Sequence, residues 1–72
     1  MIHIGNLIKE ELKRQRFSVV RFAKEMHCDR TNIYKMFERS SVDSDILFRA
    51  SIVLKHNFFE DYSKEYKDNL EK

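Results

Sequence analysis

The sequence predicts an all-α fold, a compact domain of five short helices around one small core. Three observations carry this expectation. The chain has no proline and a single glycine, so helices meet few breakers and strand hairpins lack turn residues. Lys, Glu, Leu, Arg and Phe are prominent, and apolar residues make up 42%. Those apolar residues recur at i, i+3, i+4 and i+7 or i+8 rather than at every second position. Seventy-two residues allow one domain near the size limit for unaided folding. Dimerisation would enlarge such a core, though the sequence does not demand it.

Ile4, Leu7, Ile8 and Leu12 form the stripe of a first helix, expected from Ile4 to about Gln15. Gly5 falls too early for a C-cap and marks either a frayed start or a closely packed one. Ser18 reads as the N-cap of a second helix whose apolar face is Val19, Phe22, Ala23 and Met26. Phe17 stands before that cap, where it can staple onto Phe22. The pattern breaks at His27-Cys28-Asp29. Asp29 reads as the cap of a third helix, expected from Arg30 to about Arg39, with Ile33, Met36 and Phe37 facing the core.

Val42 is placed to pack back from the following loop. Asp43 caps a fourth helix, with Asp45 in its first turn and a wide stripe of Ile46, Leu47, Ala50, Val53 and Leu54. Lys55-His56 end it as cations at a C-terminus. Asn57 caps the last helix, which Phe58, Phe59 and Tyr62 enter. Phe48, Phe58, Phe59 and Tyr62 read as core, or as a dimer seam. The domain is expected to occupy residues 1–62, and residues 63–72 read either as a helical extension or as a flexible tail.

Charge is unevenly spread. Lys13 to Arg39 holds eight Lys/Arg and three Asp/Glu, whereas Asp43 to Lys72 holds five and seven. A basic half suits a polyanion, although solvated helix faces give the same pattern. The third helix sharpens this. Opposite its apolar face it carries Arg30, Thr31, Asn32, Tyr34, Lys35 and Arg39, all hydrogen-bond donors and three of them cationic. One face anchored in a core and the other full of donors suits the major groove of duplex DNA.

Ser18 to Arg39, with the helices around it, resembles the helix-turn-helix domain of the XRE family, the Cro and phage-repressor-like regulators, and in particular their very small Bacteroidetes type. The resemblance spans roughly Ile4 to Tyr62. Phe22-Ala23 takes the family's Leu-Ala place, Met26 and Cys28 the apolar places around the turn, and Asp29-Arg30-Thr31-Asn32 opens the recognition helix. NFFEDY resembles the family's short fifth helix. The resemblance implies a lambda-repressor-like fold with the helix-turn-helix at helices two and three. Three residues depart from the family pattern. Val19 stands where a phosphate-contacting Gln is common, and His27 and Arg16 stand where Gly is common.

On this reading Arg30 would address guanine O6/N7 and Asn32 adenine N6/N7. Thr31 and Tyr34 would touch a thymine methyl, a base edge or a phosphate, while Lys35 and Arg39 would hold the backbone. Each is otherwise a solvated polar residue. Ser18 and Arg21, at the start of the second helix, lie where free N–H groups and a guanidinium can meet a phosphate. Arg21 reads equally as a solvated arginine. Lys13, Arg14 and Arg16 are second-rank phosphate ligands.

No Cys-x-x-Cys or spaced His pair appears, so neither a metal site nor a cofactor is expected. Cys28 reads as a small buried residue, and no catalytic constellation emerges; the chain is not expected to be an enzyme. A single cysteine suits a reducing compartment, and no apolar run approaches membrane-spanning length, so a cytoplasmic protein without membrane partners is expected. The leading expectation is a sequence-specific regulator of transcription that binds double-stranded DNA, acts as a repressor, and binds as a homodimer or a monomer. The alternative is a protein-interaction module, for example an antitoxin-like partner of another protein, built on the same helices.

Overall fold

In a computed structural model, which describes residues 1–71, the chain forms five helices and, among those residues, no strand. They are α1 (Ile4–Gln15), α2 (Val19–Glu25), α3 (Arg30–Phe37), α4 (Ser44–Leu54) and α5 (Phe58–Leu70). α1 packs on α3 and α4, α2 on α3, and α4 on α5. The predicted stripes supply the core. Ile4, Ile8 and Leu12 come from α1, Phe22 and Ala23 from α2, and Met26 from the turn that follows. Ile33, Met36 and Phe37 join them from α3, Leu47, Ala50 and Leu54 from α4, and Phe58 from α5. A fully buried side chain such as Ile33 or Phe22 contributes about 1.5–3 kcal/mol through removal from water. Val42 packs on this core from the loop, as its position suggested.

Side-chain caps fix three helix starts where they were expected. Ser18 Oγ accepts the Arg21 amide at 3.0 Å, Asp43 Oδ1 the Ile46 amide at 2.8 Å, and Asn57 Oδ1 the Phe59 amide at 3.1 Å. Phe17 does staple onto Phe22, edge to face, with ring centroids 6.3 Å apart. α1 has a cap that sequence reasoning did not supply: His3 Nδ1 accepts the Asn6 amide at 3.1 Å. Asp29 stands at the N-cap of α3 with extended backbone, but its carboxylate accepts no cap hydrogen bond.

Three helices end in left-handed residues that are not glycine: Arg16 (φ 55°), His27 (φ 58°) and Lys55 (φ 53°). Each closes the same double bond. Phe17 N–H donates to Leu12 O at 2.9 Å and Arg16 N–H to Lys13 O at 3.1 Å. Cys28 donates to Ala23 O and His27 to Lys24 O, and His56 to Ser51 O and Lys55 to Ile52 O. These are Schellman closures, which satisfy carbonyls that a helix end leaves bare.

Three expectations need correction. α3 ends at Phe37, with Glu38 as its cap, so Arg39 lies beyond the helix. There the carbonyls of Arg39 and Ser40 accept the amides of Gly5 and Ile4, at 2.9 and 3.1 Å, and this tie to α1 draws the chain out of the helix. Phe48 and Phe59 are not core; they are 56% and 41% exposed. Each follows a buried residue, Leu47 and Phe58, and one step along a helix turns a side chain about 100° away from the core. Phe58 is buried and Tyr62 half-buried, as expected of core. α5 runs unbroken through Tyr62 to Leu70 as a helical extension, with residue 72 outside the described residues.

Candidate nucleic-acid interface

The α2–α3 connection sets the pose of α3. Four residues, Met26 to Asp29, turn the chain, with His27 in the left-handed conformation. The Met26 carbonyl at the start of this turn accepts from Cys28 Sγ at 3.3 Å and from Arg49 Nη1 of α4 at 3.2 Å. Arg49 Nε lies 3.4 Å from the Asp45 carboxylate. One arginine thus ties the turn to α4. Sequence reasoning missed it, because the i,i+4 spacing from Asp45 reads as an ordinary surface ion pair.

Ile33, Met36 and Phe37 anchor α3, and this rotates Arg30, Thr31, Asn32, Tyr34 and Lys35 outward, all exposed. Arg30, Lys35 and Arg39 form no ion pair among the described residues. With Asp29 not capping, the first amides of α3 also lack a side-chain acceptor. Asn32, Lys35 and Arg39 border one groove of about 410 Å³, with Arg49 on its far side. Met26, Met36 and Ile46 form its apolar floor, and no carboxylate lines it. Arg39 therefore joins the group from the loop rather than from the helix.

The other predicted residues are placed differently. Ser18 Oγ is occupied by its cap. Arg21 donates through Nε to Glu25 at 2.8 Å, and its guanidinium carbon lies 4.2 Å from the centroid of the Phe17 ring. Arg14 is bound to Glu11. Lys13, Arg16 and Tyr34 border a second groove, on the α1 side of α3.

Glu11 is the other polar residue missed. It stands at i+7 from Ile4 and i+3 from Ile8, on the apolar stripe of α1, and that misplaced carboxylate was the available signal. It is 8% exposed. Arg14 donates to it, as does Gln15 Nε2 at 2.6 Å, and His56 Nδ1 lies 3.8 Å away. Gln15 Nε2 also reaches Leu54 O at 2.6 Å, and His56 Nε2 lies 3.0 Å from Asp61 Oδ2. The cluster joins α1 to the α4–α5 connection. The Arg14 hydrogen bond outweighs burial and holds the Glu11 carboxyl below its usual pKa, with Gln15 and the charges of Arg14 and His56 adding to the effect.

Among the described residues no three His, Cys, Asp or Glu side chains stand where they can share a metal ion, and no helix is long and apolar enough to cross a membrane. Compared with models of protein families, with curated proteins and with solved structures, the chain matches none.

Proposed function

We propose that this chain is a sequence-specific regulator of transcription that binds double-stranded DNA, with α2, the turn and α3 acting as a helix-turn-helix of the lambda-repressor-like, XRE type. The carrying observation is the outer face of α3, whose unpaired donors run into a carboxylate-free groove of Asn32, Lys35, Arg39 and Arg49. In this reading the N-terminal half of α3 enters the major groove, where Arg30 and Asn32 meet base edges. Lys35 and Arg39 hold phosphates, while Arg49 braces the turn through the Met26 carbonyl. Occupancy of a promoter in the cytoplasm then excludes polymerase, and the protein represses.

The exposed Phe48, Ile52 and Phe59 on α4 and α5 favour association with a second copy, which would set two α3 helices about one DNA turn apart. The same patch supports the second reading, a protein-interaction module that keeps the fold and binds another protein. Selection of bound sequences from a random duplex pool separates the two. The DNA reading expects an enriched site, palindromic for a dimer. Arg30→Ala and Asn32→Ala should each weaken binding to it by about 1–3 kcal/mol with folding unchanged. Binding should also fall with salt, with a log–log slope near −2 for two phosphate contacts. A folded protein that enriches no sequence refutes the DNA reading.

A further inference from the structure

We infer that the groove between α1 and α3 is a binding site for a small amphipathic anion, a molecule with an aryl or alkyl body and a carboxylate or sulfonate head. The groove is open to solvent along one side and has a volume of about 580 Å³, within the range of roughly 300–1,000 Å³ in which small-molecule sites fall. Its floor is apolar: Leu12, Phe17, Val19 and Phe37. The Tyr34 ring forms one wall, edge-on to Phe37 at 6.1 Å between centroids. The α1 side of the rim carries Lys9, Lys13 and Arg16, none of them in an ion pair among the described residues. Glu38 is the one carboxylate in the lining, on the opposite side, at the end of α3.

Charge complementarity selects the occupant. Lys9 and Lys13 are i,i+4 neighbours on α1, and Arg16 follows at i+3, its backbone held by the left-handed closure. Like charges at this spacing repel. An anion head placed among them relieves that repulsion while its apolar body covers the floor. A neutral apolar ligand would leave three cations at its edge uncompensated, and a cation would be opposed by all three.

The site bears on DNA binding, a step that rests on the function proposed above. Tyr34 borders the groove and also stands on the outer face of α3. An anion there neutralises the cations of the α1 rim and sets negative charge beside α3. Anion and DNA should therefore oppose each other, and by linkage each lowers the affinity of the other by the same factor.

The test uses the full chain without DNA and 8-anilino-1-naphthalenesulfonate as the probe, read by fluorescence and by amide chemical shifts. Saturable one-to-one binding is expected, with shifts at Leu12, Tyr34 and Phe37. The Lys9→Gln/Lys13→Gln double variant should weaken it about fivefold, the sum of two exposed charge contacts. Tyr34→Ala should weaken it as well, and Ile52→Gln on the α4 patch should leave it unchanged. Shifts confined to Phe48, Ile52 and Phe59 would overturn the site without need of any variant, as would loss of binding in Ile52→Gln. Probe binding in the groove that leaves the affinity for a selected duplex unchanged would overturn the coupling alone. The DNA reading itself stands or falls on enrichment of a duplex site, and its base contacts on Arg30→Ala and Asn32→Ala, neither of which lines the groove.

Discussion

Gly5→Ala sets two known effects against each other, and the structure decides between them. Gly5 is the second residue of α1, a position where alanine ordinarily stabilises a helix by about 1 kcal/mol. A Cβ there, however, would lie 2.5 Å from the Met36 carbonyl oxygen and nearer still to that of Phe37. Both obstacles are backbone atoms of α3, so no side chain can swing aside. Ordinary contact begins near 3.4 Å, and the two segments must part by about 1 Å to restore it. Overpacking of this kind costs about 1–3 kcal/mol. The same movement stretches the bonds from Gly5 N to Arg39 O and from Ile4 N to Ser40 O, each contributing about 1 kcal/mol. After the helix-propensity gain is subtracted, the expected loss is about 3 kcal/mol, against a total of roughly 4–10 kcal/mol for a domain of this size. Urea unfolding followed by circular dichroism measures it directly, and the melting temperature should drop by more than about 10 °C. A variant as stable as the parent would show that α1 and α3 are not in backbone contact. The closeness that holds α3 in place would then have to come from elsewhere.

Glu11→Gln should flatten the acid limb of stability. The Glu11 carboxyl is held below its usual value chiefly by Arg14. Its contribution is therefore complete above the unfolded value of about 4.3 and is lost as pH falls through the folded one. Urea midpoints of parent and variant should differ at pH 7 and converge as pH falls below the usual carboxylate range; parallel profiles would refute the assignment. Arg49→Ala removes a donor from the Met26 carbonyl and should cost about 1–2 kcal/mol in the same assay. A selected duplex should also bind less tightly to it, and a change in DNA affinity without loss of stability would show that Arg49 does not brace the turn. Ile52→Lys alters a residue that is 63% exposed, so stability should stay within about 0.5 kcal/mol. Sedimentation equilibrium should show any dimer lost, and a dimer that survives it must use another face.

The helices were open to reading because each buries one clean stripe and because Ser18, Asp43 and Asn57 announce three starts. The limits of that reading have physical causes. A stripe gives a direction for the core but not its angular width, so Phe48 and Phe59, one step from buried neighbours, read as core or as a dimer seam, and their exposure excludes the core alone. Asp29 has the chemistry of a cap without accepting a bond, since residue type does not fix a rotamer. The end of α3 depends on hydrogen bonds to α1, thirty-odd residues earlier, which no local pattern encodes. At the candidate site the donors of α3 were visible as a run. Arg49 was not, because it reaches the group from another helix through a fold-dependent contact with Met26.

The helix ends pose a sharper problem, since the usual mark of a Schellman closure is glycine and this chain spends its only glycine at position 5. Arg16, His27 and Lys55 take up the left-handed backbone instead, at a cost of about 1 kcal/mol or more each. Glycine at these positions would remove that strain while adding about 0.5–1 kcal/mol of chain entropy to be lost on folding. The balance favours glycine by a few tenths of a kcal/mol to about 1 kcal/mol. Lys55 gives the cleanest test, because it is exposed and forms no ion pair among the described residues. Lys55→Gly should raise the urea midpoint, whereas Lys55→Val, with a branched side chain at positive φ, should lower it. Equal midpoints for the two would mean that residue 55 is not left-handed. His27→Gly extends the argument to the turn before α3: it should stabilise by a similar amount, and if the turn only needs positive φ to aim α3, affinity for a selected duplex should not change.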